Sequence, residues 1–407
     1  MCWISGWTFA KTLSGTSVQG VKAVFAGLVV TALVGMSPLA QRASAAQCAD
    51  PTGPYTGQSP WGQRLVDPAR IWPLTTGSGQ TVAVIGAGVD AANAQFAPGQ
   101  VLPARDVTPG GGTAEADCDG RGTIAAGVVA AKQNPETTFA GVAPEVKILP
   151  VRYRRSTENG DPAALAAAID AAVQARAGVI LIAVPAAADS PALVSAVDRA
   201  RGSGSLVVSP AAATENGRRS YPTATPGVLA VGSAKQNGEP AQAESGDYIG
   251  ISAPGDNLVS TSAGAAGALA HRFPVTEPSL AAAYVAGAAA LVRSYHPELT
   301  PEQVVTRLTL TANRPPSGGR DPQRGWGMLD AYAAVSAEIP ANAAAPGGLP
   351  DSVALGAMVP APANTRPATD RFSGYLALAG VGLAAAAGVA VLAIRRGRSR
   401  SWRPSRR

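Results

Sequence analysis

Between Trp61 and Ala333 the chain alternates short apolar runs with alanine-rich stretches of helical spacing, and this alternation limits its fold more than any other feature. Residues 81–85 read as a buried strand, followed by a helical stretch at 122–132 and a second strand at 146–151. A helix at 163–177, a strand at 179–184, a helix at 191–201 and a strand at 206–209 come next. Runs at 229–232 and 248–253 follow, then a helix from Ser279 to about Tyr295. Strands separated by helices build a parallel sheet covered on both faces, so the expected fold is α/β. Two helix starts are marked locally. Ser190 precedes Pro191 as a cap with proline at the first helical position, and Thr300-Pro-Glu-Gln303 is a capping box that opens a helix to about Leu310.

The ends of the chain have a different character. Lys11 and Lys22 precede an apolar run from Ala23 to Ala40, and small residues at 43–46 offer a cleavage site, so residues 1–46 read as a secretory signal. Residues 47–63 form a Pro- and Gly-rich arm with little power to build a core of its own. The linker at 337–373 is rich in Pro and Ala, without periodicity. The twenty uncharged residues from Tyr375 to Ile394 are long enough to cross a lipid bilayer, and a basic tail follows at 395–407. That charge orients the tail to the cytoplasm and the α/β domain, 64–336, to the other side of the cell membrane in a single-pass topology.

The seven arginines of the tail, with Lys11, Lys22 and Arg42, account for more than the net charge of +6; subtracting these ten cations leaves −4 for the rest. The basic balance is therefore no argument for nucleic-acid binding. Of three cysteines, Cys2 falls in the signal. In an exported protein Cys48 and Cys118 read as one disulfide closing a loop of about 70 residues, worth roughly 4 kcal/mol; the other reading is two unrelated buried thiols. Two histidines and two usable cysteines are too scattered for a zinc site, and no cofactor is expected.

Ser279 enters an alanine-rich helix after Thr276-Glu-Pro278. A helix N-terminus carries partial positive charge and free N–H groups, so a serine there is either a nucleophile beside an oxyanion site or an ordinary cap. A serine nucleophile needs a base and an orienting acid.

The segments Gln80–Asp90 (Gln-Thr-Val-Ala-Val-Ile-Gly-Ala-Gly-Val-Asp), Asp117-Cys-Asp-Gly-Arg-Gly-Thr123, Gly141-Val-Ala-Pro144, Ala253-Pro-Gly255, Ser279-Leu-Ala-Ala-Ala-Tyr-Val-Ala-Gly287 and Gly325-Trp-Gly-Met-Leu-Asp330 occur in the order found in subtilisin-type serine proteases, which the chain resembles. The signal, arm, linker and terminal span narrow the resemblance to the mycosins, membrane-anchored subtilases associated with type VII secretion. It implies a subtilisin-like three-layer α/β/α fold with a mainly parallel sheet, plus one C-terminal transmembrane helix. It also implies a place beside the type VII secretion membrane complex and a cleft for an extended peptide ligand.

On the matching positions the catalytic constellation is incomplete. The family's Asp falls at Gly86 and its His at Arg121, a side chain that stays protonated and cannot accept a proton from serine. The nucleophile position is Ser279, and the oxyanion-hole Asn falls at Ala213 or, with a three-residue shift, at Asn216. The substrate-strand Asn and Ser are Leu181 and Ala183. His271 and His296 lie where the family has no base, and Asp90, Asp117 and Asp119 read as surface or turn carboxylates rather than a new dyad. Arg121 and Glu277 are candidates to pair with each other. The expected function is a pseudoprotease, a structural or regulatory component of a type VII secretion system, with Ser279 reduced to a helix cap. The alternative is a serine endopeptidase with non-standard residues.

Overall fold

The computed structural model describes residues 52–108, 117, 119–155, 160–215, 217–340, 343–344 and 395–396. The chain divides into two units, 1–341 and 342–407, and the described architecture is that of the first. In chain order its elements are α1 (Trp61–Val66), α2 (Pro68–Ile71), β1 (Thr81–Gly86), β2 (Arg105–Asp106), α3 (Arg121–Ala130), β3 (Lys147–Arg152), α4 (Pro162–Gln174) and β4 (Val179–Ile182). There follow α5 (Pro191–Gly202), β5 (Leu206–Pro210), β6 (Leu229–Ala234), β7 (Ile249–Pro254), β8 (Leu258–Thr261), β9 (His271–Val275), α6 (Pro278–Tyr295), α7 (Pro301–Leu310) and α8 (Ala331–Ser336).

Seven strands form one parallel sheet in the order β2-β3-β1-β4-β5-β6-β7. The period of two along each strand sorts its side chains between two cores. Val82 and Val84 of β1, with Val179 and Leu181 of β4, belong to the core under α3 and α6. Ala83 and Ile85, with Ile180 and Ile182, belong to the core under α4 and α5. The expected α/β/α layering with a parallel sheet is therefore present. Its central helix α6 is an almost continuous run of small buried residues from Ser279 to Val292. The β1 strand brings Gly86 to its C-terminal end, the edge at which parallel sheets carry their sites.

The marked helix starts form as their local chemistry dictates. Ser190 Oγ accepts from Leu193 N at 3.1 Å, and Thr300 with Gln303 completes the capping box of α7. The antiparallel β8–β9 hairpin was not legible in the sequence: Ser260 and Thr261 are polar, and Pro274 interrupts β9. Its hydroxyls are spent on α3, Ser260 Oγ donating to Ile124 O at 2.6 Å and Thr261 Oγ1 to Thr123 O at 2.8 Å. The arm is not merely extended. Trp61 begins α1 and donates from Nε1 to Asp256 O at 3.0 Å, while Thr137 and Thr138 donate to the carbonyls of Tyr55 and Gly57.

Among the described residues no helix is long and apolar enough to cross a membrane. The signal at 1–46, Cys48, Cys118 and the span from Tyr375 to Ile394 lie outside the described residues, as do most of the linker and all of the tail except Arg395 and Arg396.

Candidate functional site

A cleft of about 460 Å³ opens where the C-terminal ends of the central strands meet the N-terminus of α6. Arg121, Ala183, Ala213, Arg219, Glu277 and Ser279 are among its lining residues. Five positions singled out in the sequence, Arg121, Ala183, Ala213, Glu277 and Ser279, therefore meet in one cavity, although up to 158 residues separate them along the chain, counting from Arg121 to Ser279. Leu181 instead points into the core and is fully buried. Asn216 lies outside the described residues.

Ser279 does not cap its helix. Glu277 occupies the N-cap position, Pro278 the first helical position and Ser279 the second, and the Glu277 side chain makes no capping bond. The cap assignment fails because a cap must stand in extended backbone before the first turn, and Glu277, at φ −148° and ψ 128°, is the residue that does so. Ser279 is 2% exposed, and its Oγ has no hydrogen-bond partner among the described residues.

The position expected to carry a base holds a cation with a partner. Arg121 opens α3, and its Nε lies 3.7 Å from Glu277 Oε1, both side chains about one-third exposed. Burial pushes the Glu277 carboxyl up, and Arg121 opposes that shift. The expected pairing of Arg121 with Glu277 is thus present. At the position expected to carry an acid, Gly86 pairs in register with Arg152, whose Nε donates to Ala87 O at 2.9 Å and whose Nη1 lies 3.8 Å from Asp106 Oδ2.

Neither histidine reaches the cleft's chemistry. His271 is fully buried in β9, with Nδ1 accepting from Tyr55 N at 2.9 Å and Nε2 donating to Gln95 Oε1 at 2.6 Å. Both ring nitrogens are occupied, and burial lowers its pKa to about 4, so it is a neutral structural group. His296 is the C-cap of α6, at the far end of the helix from Ser279, roughly 25 Å away at 1.5 Å per residue.

For two carboxylates the surface alternative fails, although Asp119 does form a turn by accepting from Arg121 N two residues on. Asp117 and Asp119 are not surface groups: Asp117 is 3% exposed, and the Asp119 side chain 5%. Asp117 Oδ2 accepts from Thr123 N at 2.6 Å and Thr123 Oγ1 at 2.7 Å. Burial above all, then the charge of Asp119 and a hydrogen bond to it, raises Asp117 to about 7, against the lowering effect of Thr123. Asp119 accepts from Arg121 N at 3.0 Å and lies 3.7 Å from Arg154 Nη1. This pair anchors the entry to α3, the helix that presents Arg121. Asp90 is a turn carboxylate as expected, accepting from Ala92 N at 2.8 Å and Gly264 N at 2.7 Å.

Glu244 is the residue that sequence reasoning missed. It is fully buried and accepts from Ala213 N at 2.8 Å, Ser220 N at 2.9 Å, Ser220 Oγ at 2.7 Å and Tyr248 OH at 2.8 Å. Its carboxylate consumes the Ala213 amide, and alanine has no side-chain donor, so this residue offers no hydrogen bond to a developing oxyanion. No local signal marks a glutamate in the polar run Gln242-Ala-Glu-Ser245 as buried. Among the described residues no cluster of three or more His, Cys, Asp or Glu side chains is placed to hold a metal ion.

Comparison with known proteins agrees with this architecture. The subtilase (peptidase S8) family profile matches residues 77–327. Mycosin-4 of Mycobacterium tuberculosis is 34% identical over 91% of this chain and 88% of its own. The crystal structure of MycP1 from the ESX-1 type VII secretion system superposes with a TM-score of 0.64 at 29% identity, covering 73% of this chain and 91% of that one. The periplasmic assembly of the ESX-5 inner membrane complex contains a chain that superposes with a TM-score of 0.63 at 25% identity, covering 78% of this chain and 94% of that one. The chain belongs to the subtilase family and, within it, to the mycosins.

Proposed function

We propose that this chain is a pseudoprotease: a membrane-anchored, extracytoplasmic mycosin that serves a type VII secretion complex as a structural or regulatory component and does not cut peptide bonds. The observation that carries the reading is the Arg121–Glu277 ion pair beside a Ser279 hydroxyl that touches no base among the described residues. A guanidinium cannot accept the serine proton, Gly86 has no carboxylate with which to orient a base, and the Ala213 amide is held by Glu244. Loss of one triad member leaves only about 10³–10⁴-fold acceleration over water, supplied by binding and the oxyanion site. Here the positions of two members hold Gly86 and Arg121, and Ala213, one of the two candidate oxyanion positions, has no side-chain donor. The similarity to MycP1 of the ESX-1 system and to a chain of the ESX-5 inner membrane complex supports the secretion partner. The apolar stretch from Tyr375 to Ile394 supports the anchor.

The test is activity-based labelling of the purified full-length protein. A fluorophosphonate is expected to leave Ser279 unlabelled, and a peptide library to remain uncut, while the protein co-purifies with subunits of the secretion membrane complex. Cleavage that disappears in Ser279→Ala would instead establish a serine endopeptidase with unconventional residues.

A further inference from the structure

A cleft that no longer reacts can still hold a ligand, and its charges specify which. Ser279 is the second residue of an 18-residue helix, where the backbone N–H has no acceptor within the helix. That N–H makes none of the bonds seen from loop and cap amides among the described residues, and the Ser279 hydroxyl has no partner there either, although the residue is 2% exposed and lines the cavity. Two unpartnered donors of one cavity-lining residue thus stand at the positive end of the helix dipole.

The charged groups around the cavity are unequal. Arg121, Arg218 and Arg219 line it against Glu215 and Glu277. Glu277 is matched to Arg121 at 3.7 Å and Glu215 to Arg218 at 3.9 Å. Arg219 faces the Tyr248 ring at 5.4 Å and makes no ion pair among the described residues; the buried Glu244 carboxylate behind this wall is already met by the donors of Ala213, Ser220 and Tyr248 and makes no ion pair with it. A neutral carbonyl would satisfy the donors at Ser279 and leave Arg219 unbalanced, whereas a carboxylate answers both.

We propose that the cleft binds the free C-terminal carboxylate of a peptide, accepting from Ser279 N–H and Oγ–H while Arg219 balances its charge. The proposal rests on the pseudoprotease reading, since a reactive serine would turn over peptides in this cleft. It gives the cleft a defined ligand class: chain ends, such as the new C-terminus left when another peptidase cuts.

Fluorescence anisotropy on the full-length protein in detergent tests this with three fluorescein-labelled mixed-sequence hexapeptide pools. One ends in a free carboxylate, one is C-terminally amidated, and one is amidated with glutamate as its last residue. The free-acid pool is expected to bind at least tenfold more tightly than the plain amide and to weaken as salt rises. Arg219→Gln and Ser279→Val are each expected to lose at least fivefold in affinity, with the circular dichroism of the wild type. Equal binding of free acid and plain amide, or no binding of any pool to folded protein, overturns the proposal. So does a glutamate-amide pool that binds as well as the free acid, which assigns the site to acidic side chains. Mass spectrometry of the same pools separates the two readings: cut peptides that vanish in Ser279→Ala sink the pseudoprotease assignment, whereas uncut pools that bind equally sink only the carboxylate.

Discussion

At the residue scale, the cleft is defined by what each side chain can accept or donate. Gly86 leaves space for a side chain: the nearest atom to an added Cβ is Ala183 Cβ at 3.5 Å, an ordinary contact. Gly86→Asp combined with Arg121→His is therefore expected to gain fluorophosphonate labelling at Ser279, with neither single variant labelled. Adding Ala213→Asn is expected to raise the labelling rate about 10²-fold, the usual worth of an oxyanion donor. Retention of the unlabelled state by the folded triple variant would show that more than these three positions separates this chain from a working triad. The Arg121–Glu277 pair is one-third exposed and worth little by itself. Arg121→Gln should change folding stability by less than about 1 kcal/mol in denaturant titration.

At the scale of elements, the cleft depends on how closely α3 and α6 are seated. Gly127 of α3 faces the β8 strand, and an added Cβ would collide with Thr261 Oγ1 and lie 2.7 Å from Ser260 Oγ. Those hydroxyls are tied to α3 carbonyls and cannot swing aside without breaking their bonds. Gly127→Ala should cost about 1–3 kcal/mol of stability, measured as a lowered denaturation midpoint. By contrast, the start of α7 is a local device. Thr300→Ala removes the hydroxyl that accepts from Gln303 N at 3.3 Å and should cost about 1 kcal/mol without altering ligand binding in the cleft.

At the scale of the whole molecule, two buried groups pull stability in opposite directions with pH. His271 is held near 4 by burial, below its unfolded value of 6.5. Its contribution is complete above pH 6.5 and is lost as pH falls through about 4. Asp117 is raised from 3.8 to about 7, so its contribution is complete below pH 3.8 and is lost as pH rises through about 7. Between pH 4 and 6.5 the two trends offset each other. Asp117→Asn keeps an oxygen for the Thr123 donors and a donor toward Asp119, and it does not ionise. The variant should be more stable than the wild type at pH 8 and should show a steeper fall in thermal midpoint from pH 6.5 to 4. Superimposable pH profiles of variant and wild type would remove Asp117 from the account.

Most strands and helices of the parallel-sheet core were legible without coordinates, since apolar periodicity, prolines at first helical positions and a capping box act within a few residues of one another, whereas the β8–β9 hairpin, polar at Ser260 and Thr261 and interrupted by Pro274, was not. Family membership and the residues standing at Gly86, Arg121 and Ser279 were legible for the same reason: they are identities at fixed places in local motifs. Tertiary structure decided the rest. It placed Glu277, not Ser279, at the N-cap of α6 and left the serine hydroxyl buried without a partner among the described residues. It sent Glu244 to an amide 31 residues away and locked His271 onto Gln95, 176 residues away. It buried Asp117 and Asp119 beneath the entry to α3. The physical reason is common to all four. Whether a polar group is capped, ionised or consumed depends on which distant groups share its low-dielectric surroundings, and only the folded chain brings those groups together.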